Sequence, residues 1–245
     1  MRDVLHTAAV GAAAASTALL GPLAMLLAFA DERAPDPVLR FWCNNLLRAA
    51  GVREDVRGLE RLPPGHAVYV SNHQSNFDPV FIFPRLGRHL RFIAKRELFR
   101  IPIFGAAIRA TGMIPVDRTG TDRDREAIAG AVEAVQTRVS LLFFAEGTRD
   151  PAGVLRPFKK GAAVLAIQAG VPLVPLAVAG TKDVMTKKHV LIHGGRPVVL
   201  SVGEPLSTAG LTMEDRDALT ERAHSAVAAL LAGGNARVEE MLEHG

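Results

Sequence analysis

Ala67-Val68-Tyr69-Val70-Ser71-Asn72-His73-Gln74-Ser75-Asn76-Phe77-Asp78-Pro79 runs from a short apolar segment through a polar turn towards a second apolar stretch. Its first part has the length and residue types of a buried strand, and residues 78–86 have those of a helix. The same alternation continues along the chain. Residues 91–94, 113–116, 141–144 and 173–178 read as strands, and 102–110, 122–137, 160–168 and 211–231 as helices. Residues 190–192 and 197–202 read as a β-pair turning at Gly194-Gly195. Strands alternating with helices predict an α/β fold, a layered mixed or mostly parallel sheet flanked by helices.

The polar turn also carries chemistry. His73 and Asp78 stand five residues apart at a strand-to-helix junction, the parts of a general base and the carboxylate that orients it. The same pair also fits a structural histidine with Asp78 favouring a helix N-terminus, and the turn alone leaves both readings open. Ser75 lacks the Gly-x-Ser-x-Gly elbow of a hydrolase nucleophile.

A second string, Leu141 to Phe144 followed by Ala145-Glu146-Gly147-Thr148-Arg149-Asp150, is an apolar strand emptying into a polar loop. That is the sheet end where α/β domains place their sites. Arg149 offers a planar fork of donors to a phosphate, against the alternative of an ion pair with Glu146 or Asp150. Lys159 and Lys160 put two cations at a helix start. Lys95 and Arg118 each follow a strand and converge on one crevice if those strands are neighbours. No Gly-x-x-x-x-Gly-Lys-Ser/Thr loop is present, so a P-loop nucleotidase is excluded.

The 245 residues carry a net charge of +4, a modest excess that suits an anionic membrane surface or a phosphorylated substrate. Aromatic residues make up 5%, too few for a set of base-stacking platforms, which argues against a nucleic-acid partner. Cys43 is the only cysteine, so neither an internal disulfide nor a multi-thiolate metal site is available.

Thr7 to Ala30 contains no charged residue, and as an α-helix its length of about 36 Å matches a bilayer's hydrocarbon core. Its alanine content and the central Gly21-Pro22 point to a broken helix or hairpin. A cleaved secretory signal is the rival reading. Arg33, Arg40 and Arg48 follow the segment closely, which favours a cytoplasmic body on a cell membrane. Val38, Leu39, Trp42, Leu46 and Ala49 form an apolar stripe at helical spacing, either an interfacial helix with Trp42 as anchor or a helix packed on the domain core. The expected organisation is a hydrophobic membrane segment at 1–36, an amphipathic helical connection at 37–60 and a catalytic domain at 61–245.

Four ordered blocks resemble the glycerolipid acyltransferases, and more narrowly the bacterial 1-acylglycerol-3-phosphate acyltransferases. They are Asn72 to Asp78; Lys95 to Leu98 with Gly112 to Arg118; Phe144 to Arg149; and Val171 to Pro175. Asp150 departs from the pattern, since many relatives carry a serine there.

The resemblance implies acyl transfer from an acyl thioester, either acyl-CoA or acyl carrier protein, to the sn-2 hydroxyl of a lysophosphatidate-like lipid, with no bound cofactor or metal. It assigns His73 as base and Asp78 as its holder. Arg149, Lys95, Arg118 and Lys159 become phosphate ligands, and Glu146, Gly147 and Thr148 the site loop. Another lysolipid acceptor, or a hydrolase using the same His73, are the alternatives.

Overall fold

In the computed structural model, residues 2–116, 122–148, 154–185 and 191–244 are described. Seven strands build one sheet: β1 (Arg53–Arg57), β2 (Val68–Ser71), β3 (Leu90–Lys95), β4 (Ile114–Val116), β5 (Ser140–Phe144), β6 (Leu173–Ala179) and β7 (Pro197–Val202). Their spatial order is β1-β7-β6-β2-β5-β3-β4. Every neighbouring pair is parallel except β6 with β7. The sheet is therefore mixed and mostly parallel, with β2 paired to β5 and β6 on its two sides. Every residue of β2, β5, β6 and β7 is buried, which is why these strands read as unbroken apolar runs rather than alternating ones.

The helices are α1 (Arg2–Ala15), α2 (Thr17–Ala30), α3 (Asp36–Ala49), α4 (Phe77–Leu86), α5 (Phe104–Ala110), α6 (Asp122–Thr137), α7 (Gly161–Ala169), α8 (Thr181–Val184) and α9 (Arg216–Glu243). One sheet face carries Tyr69, Phe92, Leu142 and Phe144, packed with Cys43 and Leu47 of α3 and Phe81 and Ile82 of α4. The other face carries Val68, Val70, Leu141 and Phe143, packed with Val135 of α6, Leu165 of α7 and Val227 of α9.

Several expectations need correction. Leu191 and Ile192 do not pair with 197–202 as a hairpin, and Val190 lies outside the described residues. Pro197–Val202 instead lies between β1 and β6, while Ile192 makes only an isolated bridge to Met185. Six consecutive buried residues need a partner on each side, which a hairpin cannot supply. Within 37–60, α3 stops at Ala49 and Arg53–Arg57 forms the edge strand β1. Four of its five residues are charged, as suits an exposed edge but hides the strand from an apolar-run search. The terminal helix runs to Glu243, through Gly233-Gly234; a Cβ on Gly234 would already crowd Ala179 of β6, so the second glycine permits close packing.

The N-terminal segment is helical from Asp3 to Ala30, with a mean hydropathy of 1.8 and length and composition sufficient to cross a membrane. Its interruption falls at Ser16, not at Gly21-Pro22. Ser16 and Thr17 turn their hydroxyls back onto the carbonyl oxygens of Ala13 and Ala14, a competing bond that bends helices, while Pro22 is accommodated inside α2.

This segment is fastened to the body. Thr7 Oγ1 accepts from the Ile192 amide at 2.9 Å, and Asp3 pairs with His193 at 2.9 Å. Trp42 donates its ring N–H to Thr17 Oγ1 at 3.1 Å and lies half-buried, so the stripe of α3 packs on the core and Trp42 is no free anchor. Further along, Asp36 at the start of α3 meets Arg91 of β3 at 2.7 Å and His89 at 2.8 Å, all three largely shielded from water. Burial pushes the Asp36 carboxyl upward, but the His89 hydrogen bond and the Arg91 charge outweigh it and hold the group below its usual range. In contrast, Leu19, Leu26 and Phe29 of α2 and Phe41 of α3 project into solvent, Phe29 with 87% of its surface exposed.

Candidate active site

The turn after β2 is shaped by side chains that bond to backbone. Asn72 donates from Nδ2 to the Val178 carbonyl at 2.8 Å and accepts from the Val178 amide at 2.9 Å. Its side chain thus continues the β2–β6 ladder for one step and frees the main chain to turn away. Asp78, in the first turn of α4, then folds back. Its Oδ2 accepts from the amides of Gln74 at 2.7 Å and Ser75 at 2.9 Å, and from His73 Nδ1 at 2.7 Å. Its Oδ1 accepts from the Thr181 hydroxyl. The Asp78 side chain is wholly buried, and four donors from two segments, the turn after β2 and the start of α8, satisfy its charge.

This arrangement gives His73 a fixed proton inventory. A carboxylate at Nδ1 requires that nitrogen to carry the proton, so Nε2 keeps its lone pair. The ring stacks on Phe144 at 4.1 Å between centroids, and Phe144 in turn stacks on Phe92 at 6.2 Å. The His73 side chain retains 15% of its exposure, enough to meet a substrate while three contacts hold its orientation. It opens onto a shallow depression lined by Gln74, Glu146, Val154 and Leu155.

The second polar loop closes over the first. Glu146, which follows β5, accepts from the His73 amide at 2.7 Å and from the Arg156 amide at 3.0 Å. Its two carboxylate oxygens therefore tie the His73 turn to the chain leading into α7, as expected of a loop-ordering residue. Gly147 adopts φ +74°, and a Cβ there would lie 2.9 Å from Lys159 Cε, so the lysine lies across the glycine. Thr148 continues the loop, partly exposed.

Parallel strands bring the remaining cation to the same sheet end. Lys95 is the last residue of β3, exposed, in register with Val116 and beside the strand that leads to Glu146. The structure thus gathers His73, Asp78, Glu146, Gly147, Thr148, Lys95 and Lys159 at the C-terminal ends of β2, β3 and β5 or on the loops that follow. Arg118 and Arg149 lie outside the described residues. Lys160 is engaged by Asp217 at 2.8 Å. Ser75 is buried and donates its hydroxyl to the Met185 carbonyl at 2.9 Å, a structural role. Among the described residues no three of His, Cys, Asp and Glu come together as a metal site.

The sequence profile described as Acyltransferase matches residues 53–179, the span that carries every one of these groups except Thr181. The chain belongs to the acyltransferase family. Among similar proteins, the chloroplastic 1-acyl-sn-glycerol-3-phosphate acyltransferase BAT2 of Brassica napus is 38% identical over 152 residues, covering 60% of this chain and 44% of that one. The 1-acyl-sn-glycerol-3-phosphate acyltransferase alpha of Ovis aries is 38% identical over 190 residues, 76% of this chain and 65% of the relative. The chain thus spans less than two thirds of the length of either. The crystal structure of the 1-acyl-sn-glycerophosphate (LPA) acyltransferase of Thermotoga maritima shares the fold, with a TM-score of 0.79 and 24% identity over 98% of this chain and 96% of that one.

Two members of this candidate site escape a motif reading. Thr181 lies 103 positions from Asp78 and reaches it because Gly180, at φ +87°, turns the chain sharply after β6. A Cβ on Gly180 would collide with the Pro197 carbonyl oxygen, so no other residue fits. The available signal was a Gly-Thr pair at the end of a buried strand. Phe144 was visible only as strand filler, yet its ring is the platform under His73.

Proposed function

We propose that this protein transfers an acyl chain from an acyl thioester to the sn-2 hydroxyl of 1-acylglycerol-3-phosphate, giving phosphatidic acid at a membrane surface. The observation that carries the reading is His73, whose Nδ1 is committed to buried Asp78 and whose Nε2 is left as the site's proton acceptor. Nε2 takes the proton of the lipid hydroxyl as that oxygen attacks the thioester carbonyl. A C–O bond forms, the C–S bond breaks, and the imidazolium returns its proton to the departing thiolate. Asp78 touches neither reactant; it positions the ring and stabilises the imidazolium.

Lys95, Lys159, Arg149 and Arg118 are assigned to the acceptor phosphate. A grip on that phosphate fixes the hydroxyl near Nε2, and such positioning accounts for several kcal/mol of barrier lowering. Acyl-CoA and acyl carrier protein are the two donors the reading admits, and no bound cofactor is assigned. The exposed apolar side chains of α2 and α3 support a membrane location, and Arg33, Arg40 and Arg48 support a cytoplasmic catalytic domain.

The test is product analysis by mass spectrometry, with either donor and with or without lysophosphatidate. Wild type is expected to form phosphatidate only when the acceptor is present. His73→Ala is expected to retain the fold and lose transfer by at least about 10³-fold. Free fatty acid released at the same rate without acceptor makes the protein a hydrolase, and substantial transfer by folded His73→Ala removes the base assignment.

A further inference from the structure

A depression of about 280 Å³ opens beside α5, lined by Arg96, Phe99, Arg100, Arg109 and Pro115. It shares no lining residue with the opening above His73. Three guanidinium groups line it, and among the described residues no carboxylate does. Arg109 is held by one hydrogen bond, from Nη2 to the Phe99 carbonyl at 3.2 Å, with its guanidinium 5.8 Å from the Phe99 ring centre. Its other donors, and all of those on exposed Arg100, have no partner among the described residues. Gly105 brings these groups together. A Cβ there would meet the Phe99 carbonyl at 2.5 Å, so glycine alone lets α5 close onto the turn that carries Arg96 and Arg100.

The rim is apolar and exposed. Leu98, Ile101 and Ile103 leave 39%, 46% and 45% of their surfaces to solvent. Ile103 has φ +62°, a strained conformation for a β-branched residue, and sits against α2 with Cγ2 at 3.1 Å from the Cβ position of Gly21. The rim therefore continues into the helix that exposes Leu19, Leu26 and Phe29. The guanidinium donors of Arg100 and Arg109 inside an apolar border match the depth profile of a lipid, with the phosphate at the headgroup level and the chains beside it. A soluble phosphate compound would gain nothing from that border.

We propose that this depression holds the phosphate of an anionic glycerophospholipid resident in the bilayer, at a site separate from that of the acceptor. Guanidinium forks match phosphate oxygens in a way that a point charge does not. A second fixed point, away from α2, restrains rotation of the protein about that helix and so sets which face of the sheet meets the membrane. The inference rests on the membrane location proposed above but not on the acyl-transfer chemistry, and its readout is binding rather than turnover.

The experiment is flotation of the full-length protein with vesicles of phosphatidylcholine alone, and of phosphatidylcholine containing about a quarter phosphatidylglycerol. Each basic residue near an anionic bilayer strengthens binding about fivefold, so Arg100→Ala/Arg109→Ala is expected to bind the phosphatidylglycerol vesicles about 30-fold more weakly than wild type. Binding to phosphatidylcholine vesicles should change less than about twofold, since the apolar contacts remain. Arg100→Lys/Arg109→Lys keeps the charge and loses the forks, and is expected to fall at least about fivefold on the anionic vesicles. The proposal is overturned if the lysine pair binds like wild type, which reduces the effect to net charge. It is equally overturned if the alanine pair is unaffected on anionic vesicles, if it loses as much on phosphatidylcholine alone, or if millimolar inorganic phosphate strips wild type from the anionic vesicles.

Discussion

Thr181→Val tests the site at its least obvious contact. The hydroxyl of Thr181 is the partner of Asp78 Oδ1, whereas Oδ2 has three others, from His73, Gln74 and Ser75. Valine has the same shape as threonine and removes only the donor. Hydrogen bonds to charged groups contribute about 1.5–3 kcal/mol, and Asp78 is fully buried, so water cannot replace the lost partner. Unfolding by urea should therefore show a loss of about 2–3 kcal/mol for Thr181→Val and under about 1 kcal/mol for Thr181→Ser, which restores the donor.

The activity should fall less than the stability suggests, because the three bonds on Oδ2 still aim the carboxylate at His73. About a tenfold decrease in kcat is expected, equivalent to about 1.4 kcal/mol of barrier. Asp78→Asn, which disturbs the tautomer itself, should cost on the order of 10³- to 10⁴-fold. Wild-type stability and wild-type kcat for Thr181→Val would refute the claim that this hydroxyl supports Asp78.

Two further outcomes follow from the same structure. Gly147→Ala places a Cβ against Lys159 at a positive φ, costing about 1–2 kcal/mol; it should raise KM for the phosphorylated acceptor more than it lowers kcat, and an unchanged KM removes Lys159 from the phosphate site. The Asp36 carboxyl titrates below its usual value in the folded protein, so the stability it confers is present above about pH 4 and lost as pH falls through the lower, folded value. Asp36→Asn leaves Arg91 buried without its carboxylate and should cost about 3 kcal/mol at neutral pH while flattening the acid loss, read by urea unfolding at several pH values.

What the chain revealed before folding depended on how far apart the cooperating groups lie. The buried strands were legible because burial on both faces removes polar residues from them, as in Leu173–Ala179. Arg53–Arg57 was hidden for the opposite reason, since an edge strand keeps its charges and shows no run. The Ser16 interruption was missed because a Pro at 22 is the stronger sequence signal, although the hydroxyls at 16 and 17 bend the helix through bonds that composition does not show. In the site, His73 and Asp78 were recognisable because five residues separate them. The donor on Asp78 Oδ1 arrives from 103 positions away, and no local pattern links the two.

That distribution of donors explains why four separated blocks make one base. The buried charge of Asp78, carried by α4, is tolerable only because the β2 turn and the residue after the end of β6 supply donors to it. The His73 backbone is held through Glu146, at the end of β5, and its ring rests on Phe144 of that strand. Each of three adjacent strand ends therefore contributes one restraint to a single imidazole, and the sheet order β6-β2-β5 places β2 between the other two. A change at any one of those strand ends should alter the aim of His73 without touching a substrate. Lys95, proposed to bind the acceptor phosphate, stands further along the same edge, on β3 beyond β5. The proposed base is thus built into the centre of the sheet, while Lys95 and Lys159, proposed to hold the acceptor, stand on an outer strand and a loop, where substitution costs the fold less.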